Sequence, residues 1–427
     1  MAEGLPVTLF GAPLDTGNRG VDVLGLSIVG GLAQRLDNLR LTVYDNGRGS
    51  REATVRVGNM NVPLEFRGGR ISRKVYRGDS LWSMYAASRA WLQFNANVRA
   101  IDAAIAVLDI SGGDSFTDLY SKKQLDLVTL PKRIALERRK PLILLPQTYG
   151  PFREEGNERL ASDIISRSRQ AWARDSHSFE RLKELLGDRF DPRRHRLGID
   201  VGFGLAPKEP RQSLGRIDDW LHDDHPSIGL NVSGMLYSDP LEAQRKFGLR
   251  ADYRGAMERF VDRLLGETDA RIVLIPHVGG GGSMASESDT LACDAIARAR
   301  SSTGRVATIP DGLAADEIKH IVGRVDWFAG ARMHSTIGAM SMRVPTAAVA
   351  YSYKFFGTFE ACGNGDRVLD ARTLDTEELV EGLLDAWQQR DADTPRLFRH
   401  LKEVELRHAE QFDAIVEAIR DEAASNL

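Results

Sequence analysis

Arg332 and His334 stand two residues apart in the stretch GARMHSTIGAMSMRVPTAAVAYSYK, directly after the apolar run VDWFAG. A guanidinium, an imidazole and the unpaired N–H groups of a starting helix together suit an anion that must also exchange a proton. Ser335 or Thr336 is expected to cap that helix. Lys354, after the next apolar run, adds a second cation from the neighbouring loop. The competing structural reading is a surface arginine beside a core histidine.

Four further strand ends carry unusual residue types. In WARDSHSFERL, Arg174 either pairs with a neighbouring carboxylate such as Asp175 or takes a phosphate or carboxylate ligand, while Ser176 or Ser178 caps the next helix. In DISGGDSFTDLYS, Gly112 and Gly113 permit a tight turn. There Asp114, Ser115 and Asp118 accept hydrogen bonds from an acceptor hydroxyl or cap the next helix, and Asp114 either acts as a base or only orients a sugar. In PLDTGNRGVDVLG, glycines flank Asn18, which suits a ligand hydroxyl or an ordinary β-α turn. In LIPHVGGGGSMASESDTL, a run of glycines follows His277, reading as a plain linker or as a loop closing over substrate from beside that histidine. A basic run, RGGRISRKVYRGD over residues 67–79, is either solvated surface or a landing site for an anionic acceptor such as a diphosphate-linked sugar, or for an anionic membrane.

The elements that must position these residues follow a repeated grammar. PVTLFGAP, LTVYDNG, IAVLDISGGD, PLILLPQTYG, QAWARDS and RLGIDVGF read as strands alternating with helical patterns, the order of a parallel α/β sheet. A second series begins with SIGLNVSG and continues through RIVLIPHV, RVATIP, VDWFAG and TAAVAYS. The fold class expected is α/β, with two Rossmann-like domains over residues 1–207 and 226–395, a linker at 208–225, and an amphipathic helix over 396–427 packing across the domains. Ligands of such sheets bind at the carboxyl ends of the strands, where the singled-out residues fall.

Composition narrows the classes. With 42% hydrophobic and 27% charged residues the chain is an ordinary globular protein, and a net charge of −3 supplies no field for nucleic acid. The two cysteines have no zinc or redox spacing, no apolar run has membrane-spanning length, and the amino terminus lacks signal-peptide character, so a cytoplasmic protein is expected. No metal-ligand cluster of usual spacing occurs.

Taken together, GNRG, SGGD, LPQTYGPF, WARDSHSFE, GIDVGFGL, VLIPHV with ESD downstream, and above all the Arg-x-His to Tyr-x-Lys stretch resemble the polysaccharide pyruvyl transferase family. The resemblance implies a GT-B-like arrangement with its active site in the cleft between domains. The carboxyl-terminal domain would hold phosphoenolpyruvate and the amino-terminal domain a sugar, oligosaccharide or lipid-linked glycan. It implies transfer of a pyruvyl group onto two sugar hydroxyls as a ketal, at the inner face of the cell membrane or in the cytoplasm, with no cofactor beyond phosphoenolpyruvate as donor. On this reading His334 is the acid, and Arg332, Arg174 and Lys354 hold the donor's anionic groups. One departure stands out: family members with Asn-x-Gly-Asp place an acid where this chain has Val21, moving it to Asp22. The alternative is a GT-B glycosyltransferase using a nucleotide sugar, which needs a ribose-binding acid such as Glu287 or Asp289. A non-catalytic sugar-binding protein of the same fold is a third reading.

Overall fold

The alternation of apolar runs and helical patterns forms two separate sheets. The computed structural model describes residues 4–14, 16–72, 74, 76–279 and 287–425. One unit comprises Met1–Leu14, Leu24–Gly204 and Leu406–Leu427; the other comprises Asp15–Val23 and Leu205–Glu405.

The first unit holds strands β1 (Leu5–Phe10), β2 (Leu39–Asp45), β3 (Ser50–Val57), β4 (Met60–Gly68), β5 (Ala106–Asp109), β6 (Leu142–Gln147), β7 (Gln170–Ala173) and β8 (His195–Leu197). Their order is β3-β4-β2-β1-β5-β6-β7-β8, with every pairing parallel except the β3–β4 hairpin. β5, β6 and β7 are buried along their whole length, which is why they read as unbroken apolar runs. The hairpin carries none of that signal. β3, SREATVRV, is an exposed edge strand whose charges blunt pairing with other chains.

The second unit holds β9 (Ser227–Asn231), β10 (Arg271–Leu274), β11 (Val306–Thr308), β12 (Trp327–Gly330), β13 (Thr346–Ala350) and β14 (Val368–Asp370). The parallel order β11-β10-β9-β12-β13-β14 is that of a doubly wound dinucleotide-binding sheet. In each sheet the connections reverse direction once, between β1 and β5 and between β9 and β12, and loops diverge there to leave a crevice at the carboxyl ends.

Three boundaries differ from expectation. Residues 15–23 belong to the second unit, because Asn18 forms a backbone bridge with Val278 and the Arg19 N–H donates to the His277 carbonyl at 3.0 Å. The supposed linker 208–225 contains a helix, Arg216–Trp220, whose Ile217 and Trp220 are buried against Val273 and Ile275. The last helix runs Arg390–Ser425 and includes Pro395. Buried Leu397, Leu401 and Val404 at helical spacing offset the bond that the proline forgoes. Its residues through Glu405 fall in the second unit; those from Leu406 fall in the first, where Phe412, Ile415 and Ile419 join the core. Among the described residues no helix is long and apolar enough to cross a membrane.

Candidate functional site

At the switch point of the second unit, β12 ends at Gly330 and the helix Met333–Ser341 starts three residues later, with Arg332 at its N-cap. The Arg332 N–H donates to Asn231 Oδ1 at 3.0 Å, tying the turn to the end of β9. The Arg332 guanidinium donates through Nη2 to Asp289 Oδ1 at 2.8 Å and to the Glu287 carbonyl at 3.0 Å, and through Nε to both Asp289 oxygens. Asp289 is fully buried and also accepts from the N–H groups of Gly234, His277 and Val278 and from Asn231 Nδ2. One carboxylate thereby knits the ends of β9, β10 and β12 together. Burial opposes charge on Arg332, but Asp289 outweighs it and holds the guanidinium pKa above its usual value.

His277 follows β10 and is buried, and neither of its ring nitrogens has a hydrogen-bond partner among the described residues. Burial first, then the charges of His334, Arg332 and Arg19, push its pKa down to about 3. The imidazole is therefore neutral in a cation-rich setting. The GNRG turn closes this cluster: Gly279 N–H donates to the Gly17 carbonyl at 3.2 Å, and a Cβ on Gly20 would lie 3.0 Å from His334 Nδ1. Lys354 opens the helix Lys354–Ala361 and donates to Tyr351 Oη at 2.8 Å, and Tyr351 in turn interacts electrostatically with Arg332. The second unit thus brings the Asn18 turn, His277, Arg332 and His334 together at the ends of β10 and β12, with Lys354 held on Tyr351. This arrangement can hold a small multiply charged anion next to imidazoles.

The first unit has its own switch-point turn, after β5. Gly112 and Gly113 have φ of 61° and 84°, conformations that a side chain disfavours. The turn is anchored from below. Asp109 Oδ1 accepts from the Ser111 N–H at 2.9 Å and from Lys132 Nζ at 2.6 Å, and Lys132 also reaches Ser111 Oγ at 2.6 Å. Burial pushes Asp109 up and Lys132 down, each opposed by the other's charge. Asp114 follows the turn, half-buried. Arg174, after β7, has a side chain with no exposed surface, 3.5 Å from both Asp175 and Asp200. Its Nε and Nη2 have no hydrogen-bond acceptor among the described residues. A buried guanidinium so loosely held has donors left for an anionic or hydroxyl-bearing ligand.

Several expectations are corrected by these contacts. Neither Ser335 nor Thr336 caps its helix: both lie inside it and donate back to the carbonyls of Arg332 and Met333 at 2.6 and 2.7 Å. The helix after β7 starts at Ser176 and is capped by Asp175, which accepts from the Ser178 N–H at 2.7 Å. Asp118 does not cap the helix that follows it, which Ser121 caps; it accepts from the N–H groups of Arg153 and Glu154 in the turn that leads into the helix Glu155–Arg167. Asn18 Oδ1 takes the Gly20 N–H at 3.0 Å, and the displaced acid Asp22 accepts from Thr16 and pairs with Arg19 at 3.1 Å. Asp289 cannot bind a ribose, since both its oxygens are committed to protein donors. The glycine loop after His277 falls at Gly280–Ser286, outside the described residues.

Comparison with known proteins adds the following. The family profile described as "Polysaccharide pyruvyl transferase" matches residues 18–353. A curated relative, "Amylovoran biosynthesis protein AmsJ" of Erwinia amylovora, is 21% identical over 328 residues, 75% of this chain and 74% of that protein. Among solved structures, alpha,alpha-trehalose 6-phosphate synthase from Burkholderia multivorans is similar with a TM-score of 0.53 at 12% identity over 100% of both chains. UDP-GlcNAc 2-epimerase from Neisseria meningitidis, bound to UDP-GlcNAc, gives 0.56 at 10% identity over 97% of this chain and 99% of that one. At these identities the likeness shows the fold, the GT-B type expected from the sequence, and not the activity.

Proposed function

Because the chain belongs to the polysaccharide pyruvyl transferase family, we propose that it transfers a pyruvyl group from phosphoenolpyruvate to a sugar of a surface polysaccharide or its precursor. One acceptor hydroxyl adds to C2 of the donor while the methylene carbon gains a proton and becomes a methyl group. A second hydroxyl then displaces phosphate, closing the ketal. Of the two protons released by the hydroxyls, one balances the methyl group and the other leaves with the phosphate. In this reading His334 delivers the proton to carbon, and Arg332 and Lys354 hold the donor's carboxylate and phosphate. The first unit takes the acceptor, with the turn at Gly112, Gly113 and Asp114 against its hydroxyls; Arg174, expected from the sequence among the donor's cations, is in this reading assigned instead to an anionic or hydroxyl group of the acceptor.

The observation that supports this reading is the turn after β12, where Arg332 is held on buried Asp289 beside the neutral His277, and Gly20 of the GNRG turn lies against His334. The donor's anionic groups fit the accessible part of Arg332 and the ammonium of Lys354. Phosphate release from phosphoenolpyruvate in the presence of an acceptor glycan tests the reading. His334→Ala is expected to lower release at least about a hundredfold with an unchanged melting temperature. Thermal stabilisation by nucleotide sugars and none by phosphoenolpyruvate would overturn it.

A further inference from the structure

The first unit carries a surface that the transfer chemistry does not use. Between residues 67 and 99 the sequence has seven Lys or Arg and a single acid, Asp79, in a chain whose net charge is −3. That acid is already paired, accepting from Arg77 through both oxygens at 2.9 Å. The same segment exposes large apolar side chains: Tyr76 is 80% accessible, Phe94 71%, Trp91 52% and Leu92 43%. The two loops that present them are joined. Asn95 Nδ2 donates to the Gly78 carbonyl at 3.2 Å, and Asn97 Nδ2 to the same carbonyl at 3.0 Å.

The backbone here is built to hold the apolar tips outward. Trp91 follows the end of the helix Leu81–Arg89 with φ 52°, a left-handed position where glycine is the default. Its N–H and that of Leu92 close the helix on the carbonyls of Ser88 and Ala87. Arg139, after the helix Lys122–Glu137, takes the same conformation with φ 55°. The guanidinium carbons of Arg138 and Arg139 lie 4.4 and 5.4 Å from the Trp91 ring centre; Arg138 is buried and paired with Asp102, so Arg139 is the exposed cation of the two. Arg99 Nη1 donates to the carbonyls of Gln93 and Phe94, fixing a cation beside the most exposed phenyl ring of this loop. Aromatic tips ringed by arginines are the residue pattern that settles at the headgroup level of a bilayer, and a local excess of positive charge selects anionic lipids.

We propose that this face of the first unit, centred on Trp91, Leu92 and Phe94, docks on an anionic lipid bilayer. The aromatic rings would enter the interfacial layer while Arg99 and Arg139 meet lipid phosphates. No part of this depends on which group the enzyme transfers.

Co-sedimentation of the full chain with vesicles tests the idea. Vesicles of phosphatidylcholine with about 30 mol% phosphatidylglycerol should bind at least about tenfold more tightly than pure phosphatidylcholine, and about 500 mM salt should release the protein. Trp91→Gly combined with Phe94→Ser should lower binding at least about tenfold. The glycine suits the backbone at that position, so the melting temperature should stay within a few degrees of the parent. Equal binding to neutral and anionic vesicles, no binding to either, or unchanged binding of the double variant would each overturn the proposal. So would a concentration-dependent dimer abolished by the same substitutions, which would make the face a contact between two copies of the chain.

Discussion

At the switch point of the first unit, Lys132 is sealed against Asp109, with side-chain exposures of 0% and 1%; at that of the second, Arg332 meets an equally buried Asp289 but keeps 14% of its own side chain accessible. The origin of the cation accounts for the difference. Lys132 rises from the middle of a helix packed against the sheet, so its ammonium ends under the turn and fixes backbone. Arg332 is at the strand end itself, so its guanidinium lies at the mouth of the crevice and fixes charge. The same topology has produced a fully sealed pair in one sheet and, in the other, a pair whose arginine stays partly accessible.

Removing each cation should separate the two roles most strongly. Lys132→Met leaves Asp109 buried without its partner and is expected to cost about 3–5 kcal/mol. Arg332→Met leaves Asp289 with four other donors, three of them backbone, and is expected to cost about 1–3 kcal/mol while abolishing turnover. Urea unfolding of both variants beside phosphate-release assays checks this. A larger loss of stability in Arg332→Met than in Lys132→Met would reverse the assignment of roles.

A smaller effect follows from His277, which has no counterpart in the first unit's turn. In the folded chain it stays neutral down to about pH 3, whereas the unfolded chain takes up its proton below about 6.5. The unfolded state therefore binds more protons between those limits. Stability is fully present above the upper limit and lost as pH falls through the window. By pH 4 the loss attributable to His277 is about 3 kcal/mol. His277→Leu should flatten the melting temperature between pH 6 and 4 relative to the parent. An unchanged slope would mean that the imidazole does not hold its proton-free state against Arg19, Arg332 and His334.

Much of this was legible in the residues, and what was not has physical causes. Buried parallel strands announce themselves as apolar runs, so both sheets and most strand-end residues could be located. The Arg-x-His turn was found because a strand and a helix bracket it. Lys132 was not, since LPKRIALERRK reads as an amphipathic helix with a solvated lysine and only the sheet behind it reveals the burial. Asp289 reads from the sequence only as a ribose-binding acid for the nucleotide-sugar alternative, in a helix's first turn where the dipole already favours an acid. Its role appears only when backbone donors from two other strand ends converge on it. The GNRG turn groups with the second unit and not with the first, where sequence order puts it, because sequence order says nothing of a bridge formed with a residue as distant as Val278.

The finest probe of the second site is a single methyl group. Gly20 lies in the first turn of the helix Arg19–Ala33, and an added Cβ would sit 3.0 Å from His334 Nδ1 and 3.1 Å from Asn18 Oδ1. Alanine ordinarily stabilises a helix by about 1 kcal/mol over glycine. Gly20→Ala is therefore expected to shift stability by less than about 1 kcal/mol in either direction, while displacing the imidazole and lowering turnover about tenfold. Gly338→Ala is the matched control, on the helix that carries His334 but with open space around the new methyl group. It should gain up to about 1 kcal/mol and leave turnover unchanged. Equal rates in the two variants would show that the GNRG turn does not position His334, and that its packing against the Arg-x-His helix serves the fold alone.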